Sequence, residues 1–246
     1  MLSFLLATDY CLLATFFMNV AIIAAAGQGV RMGGPQAKQF LELAGTPIII
    51  HTLKRFEQCA DIQEIILVLP AQDASGFLAL AGRYGLRKLA RVVPGGATRA
   101  ESVMRGLQSV RAATAEIVAV HDGVRPFVTV DEISRTLRAA QTTGAAILAA
   151  PVVDTIKEVQ GGKVVSTLIR SGLRRALTPQ CFRYAILRHA YEQARDFGAD
   201  ATDDSVLVER LGVGVVVVEG NPRNIKITSP EDIALAERIL KTVDSR

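Results

Sequence analysis

The sequence predicts an α/β fold in which a mostly parallel sheet is covered by helices on both faces. Two observations carry this. Apolar runs of strand length alternate with segments of helical period from Val20 to the end of the chain. At 246 residues, with 50% of positions hydrophobic, the chain is long and apolar enough for one large core.

The apolar runs place strands at 20–25, 64–69, 91–93, 117–121, 145–151 and 213–219, with helices between them. Thr46-Pro47 predicts an N-cap and first-turn proline for a helix through 51–58. Thr129 and Glu132 have capping-box spacing for a later helix, and Ser229-Pro230-Glu231-Asp232 signals a last one ending near Leu240. Between Val153 and Leu177 the alternation breaks. Two short strands, 155–159 and 163–168, meet at Gln160-Gly161-Gly162 with no helix between them. A lone hairpin of that size is poorly stable, so it should lean on the parent domain or on a second subunit.

Charge and cysteine content narrow the function. The net charge of +4 is spread along the chain without a basic tail or stripe, which favours a few anion-binding positions over a nucleic-acid surface. Cys11, Cys59 and Cys181 are odd in number and widely spaced, so neither a disulfide framework nor a zinc site is indicated, and a cytoplasmic location fits. Residues 1–17 are largely apolar. They lack a basic residue, Asp9 interrupts them, and cleavage after Ala26 would delete the first core strand. The stretch reads as a non-structural N-terminal extension, with Met18 as an alternative start, and it is too short and interrupted to span a membrane.

In open α/β sheets ligands bind beyond the C-terminal strand ends, and four such stretches carry chemistry here. The first runs from Ala24 to Lys38. Its small residues and glycines let backbone N–H groups approach phosphate oxygens, with Arg31 and Lys38 to neutralise charge; the bland alternative is a glycine-rich turn. Met32 stands where a dinucleotide fingerprint needs its third glycine, and Lys38 is followed by Gln39, not by the Ser or Thr of a P-loop. The second stretch, Pro94 to Ser102, is a flexible turn entering a helix, and it either meets a base or phosphate or is a plain connection. The third, His121 to Pro126, follows an apolar strand. Asp122 there is a natural Mg²⁺ ligand, Arg125 either contacts substrate or pairs with a local acid, and His121 reads as a packed strand residue. The fourth, Asn221 to Thr228, sets Lys226 between Ile225 and Ile227, so that the ammonium faces away from the buried side or lies solvated on an edge.

Taken together these stretches resemble the methylerythritol-phosphate cytidylyltransferases over residues 18–240. The pattern A-A-G-x-G-x-R-M with a lysine six residues on is met by Ala25 to Met32 and Lys38, and G-G-x-x-R-x-x-S by Gly95, Gly96, Arg99 and Ser102. H-D-x-x-R-P is met by His121 to Pro126, and D-T-x-K by Asp154 to Lys157. R-x-G-L…L-T-P-Q is met at Arg170 to Leu173 and Leu177 to Gln180, T-D-[DE] at Thr202 to Asp204, and N-I-K-[IV]-T at Asn224 to Thr228.

The resemblance implies a Rossmann-like nucleotidyltransferase domain over 18–246. It also implies a protruding β-arm at about 151–176 that exchanges with a twin subunit to make a homodimer. The implied reaction moves CMP from CTP to 2-C-methyl-D-erythritol 4-phosphate, with Mg²⁺ held by Asp122. Arg31 and Lys38 would meet the charge on the α-phosphate. Ala25, Ala26, Gly27, Gly29, Gly96 and Ser102 would receive the nucleotide. Lys226, with Arg170 and Thr155 from the partner's arm, would grip the sugar-alcohol phosphate, and Thr178 and Thr202 line the site in relatives. Two departures stand out: the Pro usual before the lysine is displaced to Pro35, and Ala97 and Thr98 sit where some relatives carry acids. A ribitol-5-phosphate cytidylyltransferase shares most of these motifs. An NAD(P)-dependent oxidoreductase is disfavoured by Met32 and by Pro70 after the second strand.

Overall fold

The computed structural model describes residues 17–27, 37–194 and 203–244. Gly29, Arg31 and Thr202, and nearly all of the expected N-terminal extension, lie outside the described residues.

The chain runs β1 (Met18–Ala24), β2 (Glu42–Leu43), β3 (Thr46–Pro47), α1 (Ile48–Gln58), β4 (Glu64–Leu69), α2 (Ala71–Arg83), β5 (Leu89–Pro94), α3 (Arg99–Gln108), β6 (Ala115–Asp122) and α4 (Val130–Thr143). It continues through β7 (Ala145–Pro151), β8 (Lys157–Gln160), β9 (Lys163–Thr167), β10 (Arg174–Arg183), α5 (Tyr184–Gln193), α6 (Asp204–Glu209), β11 (Val216–Glu219) and α7 (Pro230–Asp244). Seven strands form one sheet in the order β11-β7-β10-β6-β1-β4-β5, parallel except for β10.

The inner strands β1, β4, β6 and β7 are buried on both faces because they are apolar on both, whereas the edge strands β5 and β11 are partly to largely exposed. In β4, Ile65, Leu67 and Leu69 face one core with Ile49, Leu53 and Phe56 of α1, while Ile66 and Val68 face the other with Val103 and Leu107 of α3. The same alternation splits Ala21 and Ile23 from Val20 and Ile22 in β1. A third cluster packs Ile239 and Ala236 of α7 against Leu43, Ile48 and Phe127. No helix among the described residues is long and apolar enough to cross a membrane.

The expected capping box holds: the Thr129 hydroxyl accepts from Glu132 N and the Glu132 carboxylate accepts from Thr129 N. Asp232 likewise accepts from the backbone of Thr228 and Ser229 ahead of α7. Thr46-Pro47 does not act as predicted. Both residues pair with Glu42–Leu43 in a tight hairpin turning at Ala44 and Gly45, and the orphan Ile48 N–H is satisfied by the Leu41 carbonyl instead of a side chain.

The apolar pattern gives no sign of β10, which lies in the middle of the sheet between β6 and β7. Arg174, Arg175 and Pro179 argue against a central strand, since Pro donates no ladder hydrogen bond. The structure accommodates them with a register shift between Ala176 and Gln180, which takes Leu177 to Pro179 out of the ladder with β7. The hairpin is present as β8 and β9, turned at Gly161 and Gly162 with φ of 57° and 75°. Both strands are exposed along almost their whole length and pair only with each other among the described residues.

Candidate active site

Strand order decides where a ligand can enter. From β1 the chain builds outward through β4 to β5, then returns to place β6 on the other side of β1. The loops leaving β1 and β6 therefore diverge, and a crevice opens at their C-terminal ends. A cavity of about 530 Å³ occupies it, with Ala24 at the end of β1 and Ala25 to Gly27 after it, Gly96 to Arg99 and Ser102 at the start of α3, and Asp122 at the end of β6. Lys38 and Gln39 close one side and Lys226 another.

Close packing holds this rim in shape. A methyl group at Gly95 would overlap the Cβ of Ala26 and lie 2.8 Å from the Ser102 hydroxyl oxygen; one at Gly123 would lie 2.6 Å from Ala25 Cβ. Ala25 N donates to Val68 O, and Gly123 N donates to Ala24 O. At the head of α3 the Thr98 side chain accepts from Glu101 N at 3.1 Å, and Glu101 Oε2 accepts from Ala97 N at 2.8 Å. The Ser102 hydroxyl donates to Thr98 O and accepts from Gly96 N. With Thr98 as cap, Arg99 is the first helical residue and is aimed back over the strand ends.

Asp122 is the electrostatic centre. Its Oδ1 accepts from Arg99 Nε at 3.1 Å and its Oδ2 accepts from Arg125 Nε at 3.1 Å, while Lys226 Nζ forms an ion pair with Oδ2 at 3.1 Å. The carboxyl is almost wholly buried, which alone would raise its pKa, but Arg99, Lys226 and Arg125 together hold it well below the carboxylate range. Arg125 thus pairs with the local acid, and its Nη1 also donates to Asn224 O at 2.9 Å. Lys226 is positioned because Ile227, fully buried, donates its N–H to Val124 O at 2.9 Å.

His121 is a packed residue, as read. Its ring lies 4.8 Å from that of Phe56, and burial pushes its pKa down to about 3, so it is neutral. Nε2 is 3.1 Å from the Arg125 carbonyl, which can only accept, so Nε2 carries the proton and Nδ1 accepts from Thr178 Oγ1 at 2.9 Å. The same Thr178 oxygen accepts from Asp122 N at 3.2 Å. Thr178, expected on the substrate, therefore spends its one donor on His121 and fixes the Asp122 backbone. It borders a second cavity of about 210 Å³ that shares Arg99, Asp122 and Lys226 with the first.

Of the residues singled out, the structure gathers Ala25, Ala26, Gly27, Lys38, Gly96, Ser102, Asp122 and Lys226 around one cavity. Thr155 and Arg170 sit on the exposed arm and line neither cavity; Arg170 Nη1 donates to Val153 O at 2.8 Å. Sequence reasoning gave no role to Arg99, Gln180, Asp203 or Asp204, although Thr98 and Glu101 have capping-box spacing that would have aimed Arg99 at the strand ends.

No three His, Cys, Asp or Glu side chains converge among the described residues, so there is no closed metal cage there. Asp122 still suits Mg²⁺. A carboxylate offers about four acceptor positions; Arg99 takes one on Oδ1 and Arg125 one on Oδ2, which the Lys226 ammonium also faces as an ion pair, so a position on Oδ1 stays open. An ion held by one carboxylate completes its shell with water and substrate phosphate, which is the habit of Mg²⁺.

The chain matches the family model of 2-C-methyl-D-erythritol 4-phosphate cytidylyltransferase over residues 19–242. The enzyme of that name from Bacillus cytotoxicus is 47% identical over 223 residues, covering 91% of this chain and 98% of the relative. That from Geobacillus thermodenitrificans is 46% identical, over 89% and 96%. Among solved structures, 4-diphosphocytidyl-2C-methyl-D-erythritol synthase from Anaerococcus prevotii superposes with a TM-score of 0.80 at 33% identity, over 92% of this chain and 99% of that one. The Thermus thermophilus cytidylyltransferase gives 0.72 at 35%, over 90% and 98%.

Proposed function

The chain belongs to the 2-C-methyl-D-erythritol 4-phosphate cytidylyltransferase family, and we propose that the cavity between β1 and β6 is where it joins CMP from CTP to 2-C-methyl-D-erythritol 4-phosphate, releasing pyrophosphate. The observation that carries this placement is the convergence of Lys226, Arg99 and Arg125 on Asp122 at the wall of a glycine-edged cavity that Lys38 also lines.

The chemistry follows from charge. A phosphate monoester dianion must approach the α-phosphorus of a polyanion, and repulsion is overcome only if fixed cations hold the two in line. The nucleophilic oxygen is already ionised at neutral pH, so no general base is needed, and the neutral His121 is committed to structure. In this reading the backbone of Ala25, Ala26, Gly27, Gly29 and Gly96, with Ser102, receives the nucleotide. Lys38 and Arg31 stabilise the charge that develops on the α-phosphate. Lys226 grips the phosphate of the sugar alcohol together with Thr155 and Arg170 of the partner subunit, and Thr202 borders the same place. Asp122 would hold Mg²⁺, which when bound neutralises phosphate charge.

Delivery of Arg170 across a subunit boundary is supported by the arm itself, which exposes Val153, Val164, Val165 and Ile169 in one contiguous piece of chain. A second copy of the chain is the partner proposed for it, in the cytoplasm, with neither nucleic acid nor membrane involved. The deciding experiment is pyrophosphate release from the purified chain with Mg²⁺ and CTP, comparing methylerythritol phosphate with ribitol phosphate and then CTP with the other nucleotides. Release only with ribitol phosphate would overturn the acceptor; none with either would overturn the function.

A further inference from the structure

Arg99 serves two carboxylates with one edge of its guanidinium. Nε donates to Asp122 Oδ1 at 3.1 Å and Nη2 donates to Asp204 Oδ2 at 2.9 Å. These neighbouring groups are a pair that commonly takes both oxygens of a single carboxylate. Here the second acid prevents it. Asp204 is fully buried; its other oxygen accepts from the Tyr191 hydroxyl at 2.6 Å and its N–H donates to the Gln180 side-chain oxygen at 3.0 Å. Gln180 also accepts from Ser205 N and donates to Asp203, so the first turn of α6 is tied to β10. Burial alone would lower the Arg99 pKa, but Asp204 and Asp122 hold it far above the ordinary value. The cation is permanent and can only redistribute its donors.

We propose that Asp204 is a positioning residue that holds Arg99 to a single donor on Asp122, so that Oδ1 keeps an acceptor position open for the divalent cation. Stability alone explains the arrangement poorly, because burying a charged pair gains little over an apolar pair of the same volume. Geometry explains it. Without the Asp204 charge, Nη2 turns to Asp122 as well, and because Oδ2 already faces Arg125 and the Lys226 ammonium, it joins Nε on Oδ1 and takes the position the metal needs. Tyr191 acts one step further out, holding Asp204 rather than Arg99.

This inference rests on the metal role proposed for Asp122, and the test separates the two. Mn²⁺ binding is measured on the full chain with CTP present and no acceptor, from the electron-paramagnetic-resonance signal of free Mn²⁺, with the unfolding midpoint as a fold control. Loss of an outer hydrogen-bonding partner typically weakens metal affinity by about 10–100-fold, so Asp204→Asn should bind Mn²⁺ at least about tenfold more weakly, and Tyr191→Phe a few-fold more weakly. Asp122→Asn is the reference. If it binds Mn²⁺ as tightly as the parent does, the metal role fails and this inference with it. If Asp122→Asn loses the ion while Asp204→Asn and Tyr191→Phe bind as the parent does, the positioning role alone is overturned. Should Asp204→Asn not fold, Tyr191→Phe decides: weaker binding supports the proposal and unchanged binding overturns it.

Discussion

Lys226 Nζ lies 3.1 Å from Asp122 Oδ2, so the cation proposed to grip the acceptor phosphate is held ready by the acid proposed to hold the metal. One carboxylate thereby keeps three cations from repelling one another across a cavity built for anions. Asp122→Asn should lower turnover by at least about a hundredfold through loss of transition-state electrostatics. It should also destabilise the fold by about 1–3 kcal/mol, because Arg99, Arg125 and Lys226 lose their shared counter-charge; their partial exposure lets them relax into solvent and keeps the loss from being larger. Denaturant titration beside the pyrophosphate assay checks both, and a fully stable, fully active variant contradicts the arrangement.

Lys38→Ala should cut turnover by about a hundredfold to a thousandfold, the range for removing one fixed group that meets developing charge. Lys38 lines the rim of the cavity instead of its packed core, so the unfolding midpoint should stay close to that of the parent. Near-normal turnover in a folded variant would refute its role.

Gly95→Ala tests the close approach beneath the nucleotide. The new methyl overlaps Ala26 and crowds Ser102, so the loop after β1 must shift outward. The expected result is a rise in the KM for CTP of about tenfold or more, since small displacements of positioning groups are costly. An unchanged KM would mean that the Ala26 backbone is not part of the nucleotide site.

His121 sets a pH dependence of stability. Unfolded, it takes up a proton near its ordinary value of 6.5; folded, only near 3. Between those values the unfolded chain binds the extra proton, so acidification destabilises the fold. Asp122 adds to this at lower pH: its folded pKa is depressed, so its contribution is present above its ordinary value of 3.8 and is lost as pH falls below it. Denaturation midpoints should therefore decline from pH 7 to 4, and the decline should be shallower in His121→Gln. A parent curve that is flat over that interval would rule out a buried neutral imidazole.

The arm makes a prediction about subunits. If Arg170 of the partner subunit completes each site, Arg170→Ala and Lys226→Ala chains are each deficient alone, yet a mixed dimer holds one intact site and one doubly damaged site. Random mixing in equal amounts should then restore about a quarter of parental activity. Ile169→Asp, which puts a charge on an 83% exposed apolar side chain, should shift the chain towards monomer in sedimentation. Failure of the mixture to exceed either parent variant would place Arg170 outside the site.

The order of apolar runs determined by itself that this chain forms a sheet buried on both faces, because each such run finds its stable place only between two layers of helix. The same order put the glycine loop, Gly96 and Asp122 at strand ends, since those residues follow the runs within a few positions, with Lys226 further along the segment after the last run. Tertiary structure alone decided the rest. β10 is invisible locally because Pro179 and two arginines contradict a central strand, and only pairing with β6 and β7 on either side makes it one. Arg99 and Asp204 stand 105 residues apart, and no local pattern could say that α3 and α6 would bring them to 2.9 Å over Asp122. Strand placement is a matter of local hydrophobic period, whereas ion pairing depends on which strand ends become neighbours once the sheet has closed.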